Sequence, residues 1–228
     1  MLSRADVVFW IGDEIESFLP GPLASLGKTA QVVSLNAAPS THLLAAREGG
    51  VWEAHKGHHG FDPHTWLDST NAASWVSVMA DVLSEAAPTH RARLQANAKK
   101  TIARLNALDL EIRRAMRPVA HVPHMVFHDA YQYFEKRYGL NAFGALTIDP
   151  DRKPGARRIV ELKAKIKEFD ARCVFVERQF PPKIATTLVE GSNAHIGTLD
   201  PIGDAKGPGA YEKLIRGLAA SFTACLSR

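Results

Sequence analysis

After Pro118 the sequence alternates short apolar runs with helix-period segments four times, and that rhythm restricts the fold more than any other feature. The runs are 125–127, 143–148, 173–176 and 195–199, and the segments that follow them are 130–138, 154–169, 182–190 and 210–226. Strand-helix units in succession build a parallel sheet covered by helices on both faces. Gly139 closes the first of these helices, as a glycine just past a helix end does.

The part before Pro118 supplies less sheet. Val7, Val8, Phe9, Trp10 and Ile11 form one apolar run ended by Gly12, which reads as a buried strand. A short helix over 13–19, stopped by Pro20, and a second strand over 32–35 are expected to follow. A helix is expected over 71–87. A longer one is expected from about 88 to 116, where Leu94, Ala98, Ile102, Leu105 and Ile112 recur at helical intervals. At ~1.5 Å per residue it spans roughly 40 Å, which suits a strut between two lobes. The expected organisation is a partial N-terminal α/β lobe over 1–87 with a His-rich loop at 53–64, a linking helix at 88–117 and a C-terminal α/β lobe at 118–228. The first lobe reads as incomplete because two-stranded units are marginal alone.

Several function classes fall away. No stretch approaches the ~20 apolar residues of a membrane-spanning helix. The run at 7–11 follows an acidic residue and precedes no cleavage signature, so the sequence as it stands carries no export signal. The net charge of +4 and a pI near 9.1 raise the question of nucleic acid. Yet Arg91, Arg93, Lys99, Lys100, Arg104 and Arg113 sit at helical spacings among Ala, Leu and Ile, as on a solvated face. No zinc-finger or RNA-binding motif accompanies them, and no nucleic-acid partner is expected. Nucleotide-binding glycine loops, zincin motifs and the hydrolase nucleophile elbow are also missing.

Histidine is the compositional signal: there are ten, and His55, His58, His59 and His64 fall within ten residues. Imidazole is the commonest protein metal ligand. In parallel sheets ligands bind beyond the carboxyl ends of the strands. His128 follows the run at 125–127 and Asp200 the run at 195–199, so both point to one edge of the second lobe. His64, braced by Pro63, Trp66 and Leu67, is the candidate from the first lobe. These three make a set suited to Zn²⁺, with Mn²⁺ or Fe²⁺ as the weaker match. His55, His58 and His59, among glycines that are costly to order, read as an auxiliary metal-collecting loop. Glu177, near the end of the third run, either activates water or steadies a ligand histidine, and the supporting role is favoured. Cys173 and Cys225 are too few and too far apart for a thiolate zinc site, and are compatible with one bridge in an oxidising compartment. A metal-dependent hydrolase using Glu177 as base, and an inactive structural or adhesion-like module, are the competing classes.

Taken in order, Ala5-Asp6-Val7-Val8-Phe9-Trp10-Ile11-Gly12, Asp62-Pro63-His64-Thr65-Trp66-Leu67-Asp68, Val126-Phe127-His128-Asp129-Ala130-Tyr131, Cys173-Val174-Phe175-Val176-Glu177 and Gly197-Thr198-Leu199-Asp200-Pro201 resemble the substrate-binding proteins of zinc-uptake ABC transporters. The resemblance runs over nearly the whole chain. It implies two α/β lobes joined by one long helix, and a monomer that captures zinc outside the cytoplasm and delivers it to a membrane permease. It matches His64, His128 and Asp200 to metal ligands and Cys173 with Cys225 to a disulfide. It also implies an export signal, two strand-helix units and a further ligand histidine ahead of residue 5. The sequence shows none of these, so weaker zinc binding than in a longer relative is the expectation.

Overall fold

A computed structural model describes residues 2–26, 30–48, 51–52, 60–147, 155–178 and 182–228. The chain divides into two units. The first comprises Met1–Ala45 and His58–Asp109, the second Ala46–Gly57 and Leu110–Arg228. The chain therefore passes from one unit to the other three times, and one passage falls inside the longest helix.

In the first unit β1 (Val7–Trp10) and β2 (Gln31–Ser34) pair in parallel, with Val7 opposite Gln31 and Trp10 opposite Ser34. The helix expected over 13–19 does not form: those residues make turns, and α1 is Pro20–Ala24. Pro20 starts this helix instead of stopping one, because its fixed φ and missing N–H suit a first turn. A 3₁₀ turn at Thr65–Leu67 leads into α2 (Ser69–Ala86), whose N-cap Asp68 accepts from Thr70 N at 2.8 Å. That bond satisfies one of the donors every helix start leaves open.

α3 (Arg91–Met116) has 26 residues and follows a 3₁₀ turn at Pro88–His90. Ala98, Leu105, Leu108, Ile112 and Met116 are its buried apolar positions, at spacings of seven, three, four and four that keep one stripe inward. The six basic residues named above are exposed on it. Within the first unit, Ser69 Oγ donates to Asp109 Oδ1 at 3.0 Å and Gln95 Nε2 to Asp81 Oδ1 at 2.9 Å, which ties α3 to α2. Among the described residues no helix is long and apolar enough to cross a membrane.

The second unit is the sheet that the alternation predicts. Its strands β3 (Pro123–His128), β4 (Asn141–Thr147), β5 (Cys173–Glu177) and β6 (His195–Leu199) are all parallel and lie in the order β4-β3-β5-β6. The chain leaves β3 outward to β4 and returns across it to β5, so the order reverses at β3. Between the strands run α4 (Gln132–Tyr138), α5 (Ala156–Glu168), α6 (Pro182–Val189) and, after β6, α7 (Ala210–Leu226).

Strand alternation divides the core into two layers. Met125 and Phe127 of β3 and Val174 of β5 pack with Leu162 and Ile166 of α5 and Leu188 of α6. The other face carries His124 and His128 of β3 and Phe175 and Glu177 of β5. There Phe222 of α7 meets the rings of His124, Tyr131, Phe134 and Phe175 at centroid separations of 4.8–6.3 Å. Cys173 at the start of β5 is bonded to Cys225 of α7. The disulfide thus fastens that helix to the sheet it covers.

Candidate metal site

The first unit aims His64 with one carboxylate. Asp62 Oδ1 accepts from His64 N at 2.9 Å and lies 2.7 Å from Nδ1 of the same residue. Proline between them cannot donate, so the carboxylate reaches over it to both groups. The ring leans on Trp66 at a centroid separation of 5.2 Å. Behind it, Thr65 Oγ1 donates to Asn36 Oδ1, while the Asn71 amide donates to the carbonyls of His42 and Thr65 and accepts from His42 N. These bonds hold the turn from below.

The second unit aims His128 in the same way. It is the last residue of β3, and Nδ1 lies 2.5 Å from Oε1 of Glu177, the last residue of β5. Tyr131 Oη donates to that oxygen at 3.0 Å. Burial, then the charge of Glu177, pushes the Tyr131 phenol well above its ordinary pKa, and the charge of Asp200 adds to the shift. The phenol therefore stays protonated and can only donate to Glu177. With Nδ1–H given to a carboxylate, each imidazole presents its lone pair at Nε2, which is how carboxylates orient metal-ligating histidines.

Asp200 follows β6 and shapes a turn. Its Oδ1 accepts from Ile202 N at 3.0 Å and Gly203 N at 2.8 Å. It borders a groove of 510 Å³ with Arg178, Asp204 and Lys213. His55, His58 and His59 lie outside the described residues. Among the described residues, no three His, Cys, Asp or Glu side chains within either unit converge as a metal shell.

Four contributors escape a reading of the sequence. Asp62 stands two residues from His64, and that spacing is its only local signal. Tyr131 follows His128 by three residues, with nothing to mark its reach to Glu177. The other two contributors are Arg47 and Asp129. Arg47 donates through Nε to Asp129 Oδ2 at 3.1 Å, through Nη2 to Asp129 Oδ1, and through Nη1 to Glu135 Oε2 at 2.8 Å. Its guanidinium lies 3.7 Å above the Trp52 ring. Oε1 of Glu135 is 3.5 Å from Nε2 of the fully buried His124. Burial works against the charges of Arg47 and Glu135. Their mutual attraction wins in both: with Asp129 it raises the Arg47 pKa, and with His124 it lowers that of Glu135. Removing one member of a buried pair leaves an uncompensated charge, at about 3–5 kcal/mol.

The family described as "ZnuA: Zinc-uptake complex component A periplasmic" matches residues 1–225. Among curated relatives, a high-affinity zinc uptake system protein ZnuA of Brucella suis is 39% identical, with all of this chain and 78% of the relative aligned. The protein of that name from Yersinia pestis is 31% identical, over 99% of this chain and 77% of the relative. Among solved structures, the periplasmic zinc-binding protein TroA of Treponema pallidum superposes with a TM-score of 0.81 at 23% identity, covering 100% of this chain and 83% of that one. A crystal structure of ZnuA gives 0.80 at 22% identity, over 98% and 81%. At such identities the two structures bear on the fold alone.

Proposed function

This chain belongs to the zinc-uptake complex component A (ZnuA) family, and on that footing we propose that it captures Zn²⁺ with high affinity in the periplasm and hands it, as a monomer, to an ABC permease. The family consists of substrate-binding transport proteins and not enzymes, which removes the hydrolase reading. Glu177 then has no water to activate. Its place at 2.5 Å from His128 Nδ1 supports a steadying role.

The proposed donors are Nε2 of His64 from the first unit with Nε2 of His128 and the carboxylate of Asp200 from the second. One observation carries the proposal: two histidines in different units each have Nδ1 engaged by a carboxylate, Asp62 in one case and Glu177 in the other. Two imidazoles with one carboxylate favour zinc over the harder Mn²⁺, which prefers oxygen. Asp200 contributes least, since its Oδ1 already accepts two backbone bonds. The ion undergoes no covalent chemistry. The chain's task is to hold two lone pairs ready and to keep each ring proton on the carboxylate side.

Competition titration of Zn²⁺ against a chromophoric chelator tests this. His64→Ala and His128→Ala should each abolish one tight equivalent, and Asp200→Ala should weaken it less. Unchanged tight binding in both histidine variants would move the site elsewhere in the chain.

A further inference from the structure

We propose that Arg47 is a positioning residue for His128, holding the end of β3 from the backbone side while Glu177 and Tyr131 hold the imidazole itself. This deepens the reading above and rests on His128 as a zinc ligand. Arg47 is 82 residues from Asp129 in sequence and 88 from Glu135. It comes from the short stretch, Ala46–Gly57, that groups with the second unit although its neighbours on both sides belong to the first.

The geometry is that of a clamp on one turn. Asp129 is the residue after His128, and Ala130 N donates to the His128 carbonyl at 2.8 Å, so the chain bends there. Glu135 lies in α4, where its own N–H donates to the Tyr131 carbonyl at 2.8 Å. A single planar guanidinium thus grips both sides of the bend: Asp129 at its start through two nitrogens, and Glu135 one helical turn beyond Tyr131 through the third. Forked pairing of this kind fixes direction as well as distance, which an ammonium group does not. The clamp is itself seated. Trp52 stacks on the guanidinium, Val51 packs against Gly144 of β4, and Arg158 Nη2 donates to the Val51 carbonyl at 2.6 Å. None of the bonds described above ends on a proposed metal donor, so the inferred route from Arg47 to zinc runs through the placement of His128.

The test compares Arg47→Met, Arg47→Lys and the triple variant Arg47→Met/Asp129→Asn/Glu135→Gln with wild type and His128→Ala. Zn²⁺ affinity is read by chelator competition. The metal-free protein is read by ¹⁵N imidazole NMR, where His128 should show a hydrogen-bonded Nδ1–H. Arg47→Met should lower zinc affinity about 10-fold to 100-fold, the range typical of lost outer partners of metal ligands, and blur the His128 tautomer signal. Arg47→Lys, which keeps the charge without the fork and preserves folding if the Met variant does not, should lose at least several-fold. The triple variant should regain thermal stability but neither the affinity nor the signal. Wild-type affinity and an unchanged imidazole spectrum in a folded Arg47→Lys or Arg47→Met protein would overturn the inference. So would full recovery of both in the triple variant, because charge balance alone would then suffice. If His128→Ala binds zinc normally, the functional reading itself fails; if only the Arg47 variants do, the positioning role alone is lost.

Discussion

Gly144→Ala is a one-methyl perturbation with a legible cost. Gly144 lies in β4 with an ordinary backbone conformation, so alanine brings no torsional strain of its own. A Cβ there would stand 2.3 Å from Val51 Cγ1, 2.8 Å from Val51 Cβ and 3.3 Å from the Val51 carbonyl oxygen. The first two separations are far inside van der Waals contact, so the stretch carrying Val51 must lift. Overpacking of this kind costs about 1–3 kcal/mol. Replacing glycine in a strand returns about 0.5–1 kcal/mol of conformational entropy. The net expectation is a loss of about 1–2 kcal/mol, or roughly 2–8 °C in Tm at about 2–4 °C per kcal/mol for a protein this size. Scanning calorimetry reads the midpoint, and hydrogen exchange at 51 and 52 reports whether the stretch has lifted. The control is Val51→Gly, which removes both close side-chain atoms. In that background Gly144→Ala should be nearly neutral, giving a coupling of about 1–2 kcal/mol. An alanine variant as stable as wild type, or one equally costly in both backgrounds, would refute the reasoning.

Three further outcomes follow from the same structure. Glu177→Gln should leave the fold intact by circular dichroism and lower zinc affinity about 10-fold to 100-fold, because the partner of His128 Nδ1 loses its charge; its Tyr131 phenol should also titrate lower, which ultraviolet difference spectra follow. Burial alone would raise the Glu135 pKa, but Arg47 and His124 bring it below its unfolded value. Below about pH 4.3 the unfolded chain then binds more protons, so this stabilisation is complete above that pH and disappears as pH falls through the folded value. Urea midpoints from pH 3 to 6 should therefore fall less steeply with acid in Glu135→Gln than in wild type. Replacing Cys173 and Cys225 by serine opens a bridge spanning 52 residues, for which chain entropy alone predicts a loss of about 4 kcal/mol; an unchanged thermal midpoint after reduction would contradict that.

How much of this was legible depends on the range over which each feature is encoded. The four strands of the second unit were readable because their apolar runs and intervening helices are local patterns. Their ends were less so: β3 extends to include His128 itself, and its register against β4 shifts between His124 and Met125, which no periodicity reveals. Pro20 misled because proline signals both the stop and the first turn of a helix, and only the tertiary setting chooses between them. The pairing of Cys173 with Cys225 was implied by likeness, since two cysteines alone say nothing of geometry. Asp62 was within reach, two residues from His64. Arg47 was not, because an arginine among Ala, Glu and Gly reads as a solvated loop residue until Asp129 and Glu135 are folded beside it.

The placement of residues 46–52 in the second unit has a consequence for biosynthesis. Arg47, Val51 and Trp52 leave the ribosome before every strand they dock against, and the whole remainder of the first unit, through Asp109, is translated in between. Their partners emerge much later: Asp129 and Glu135 follow Arg47 by 82 and 88 residues, and Gly144 and Arg158, which meet Val51, come later still. Arg47, Val51 and Trp52 therefore wait undocked until then, with a valine uncovered that the finished protein buries and an indole that it partly covers. Contacts of such long sequence separation form slowly, and nascent chains with uncovered apolar side chains are the ones that aggregate or engage chaperones. The price of steadying a strand end from far upstream is a folding step that only the emergence of β4 and α5 can complete.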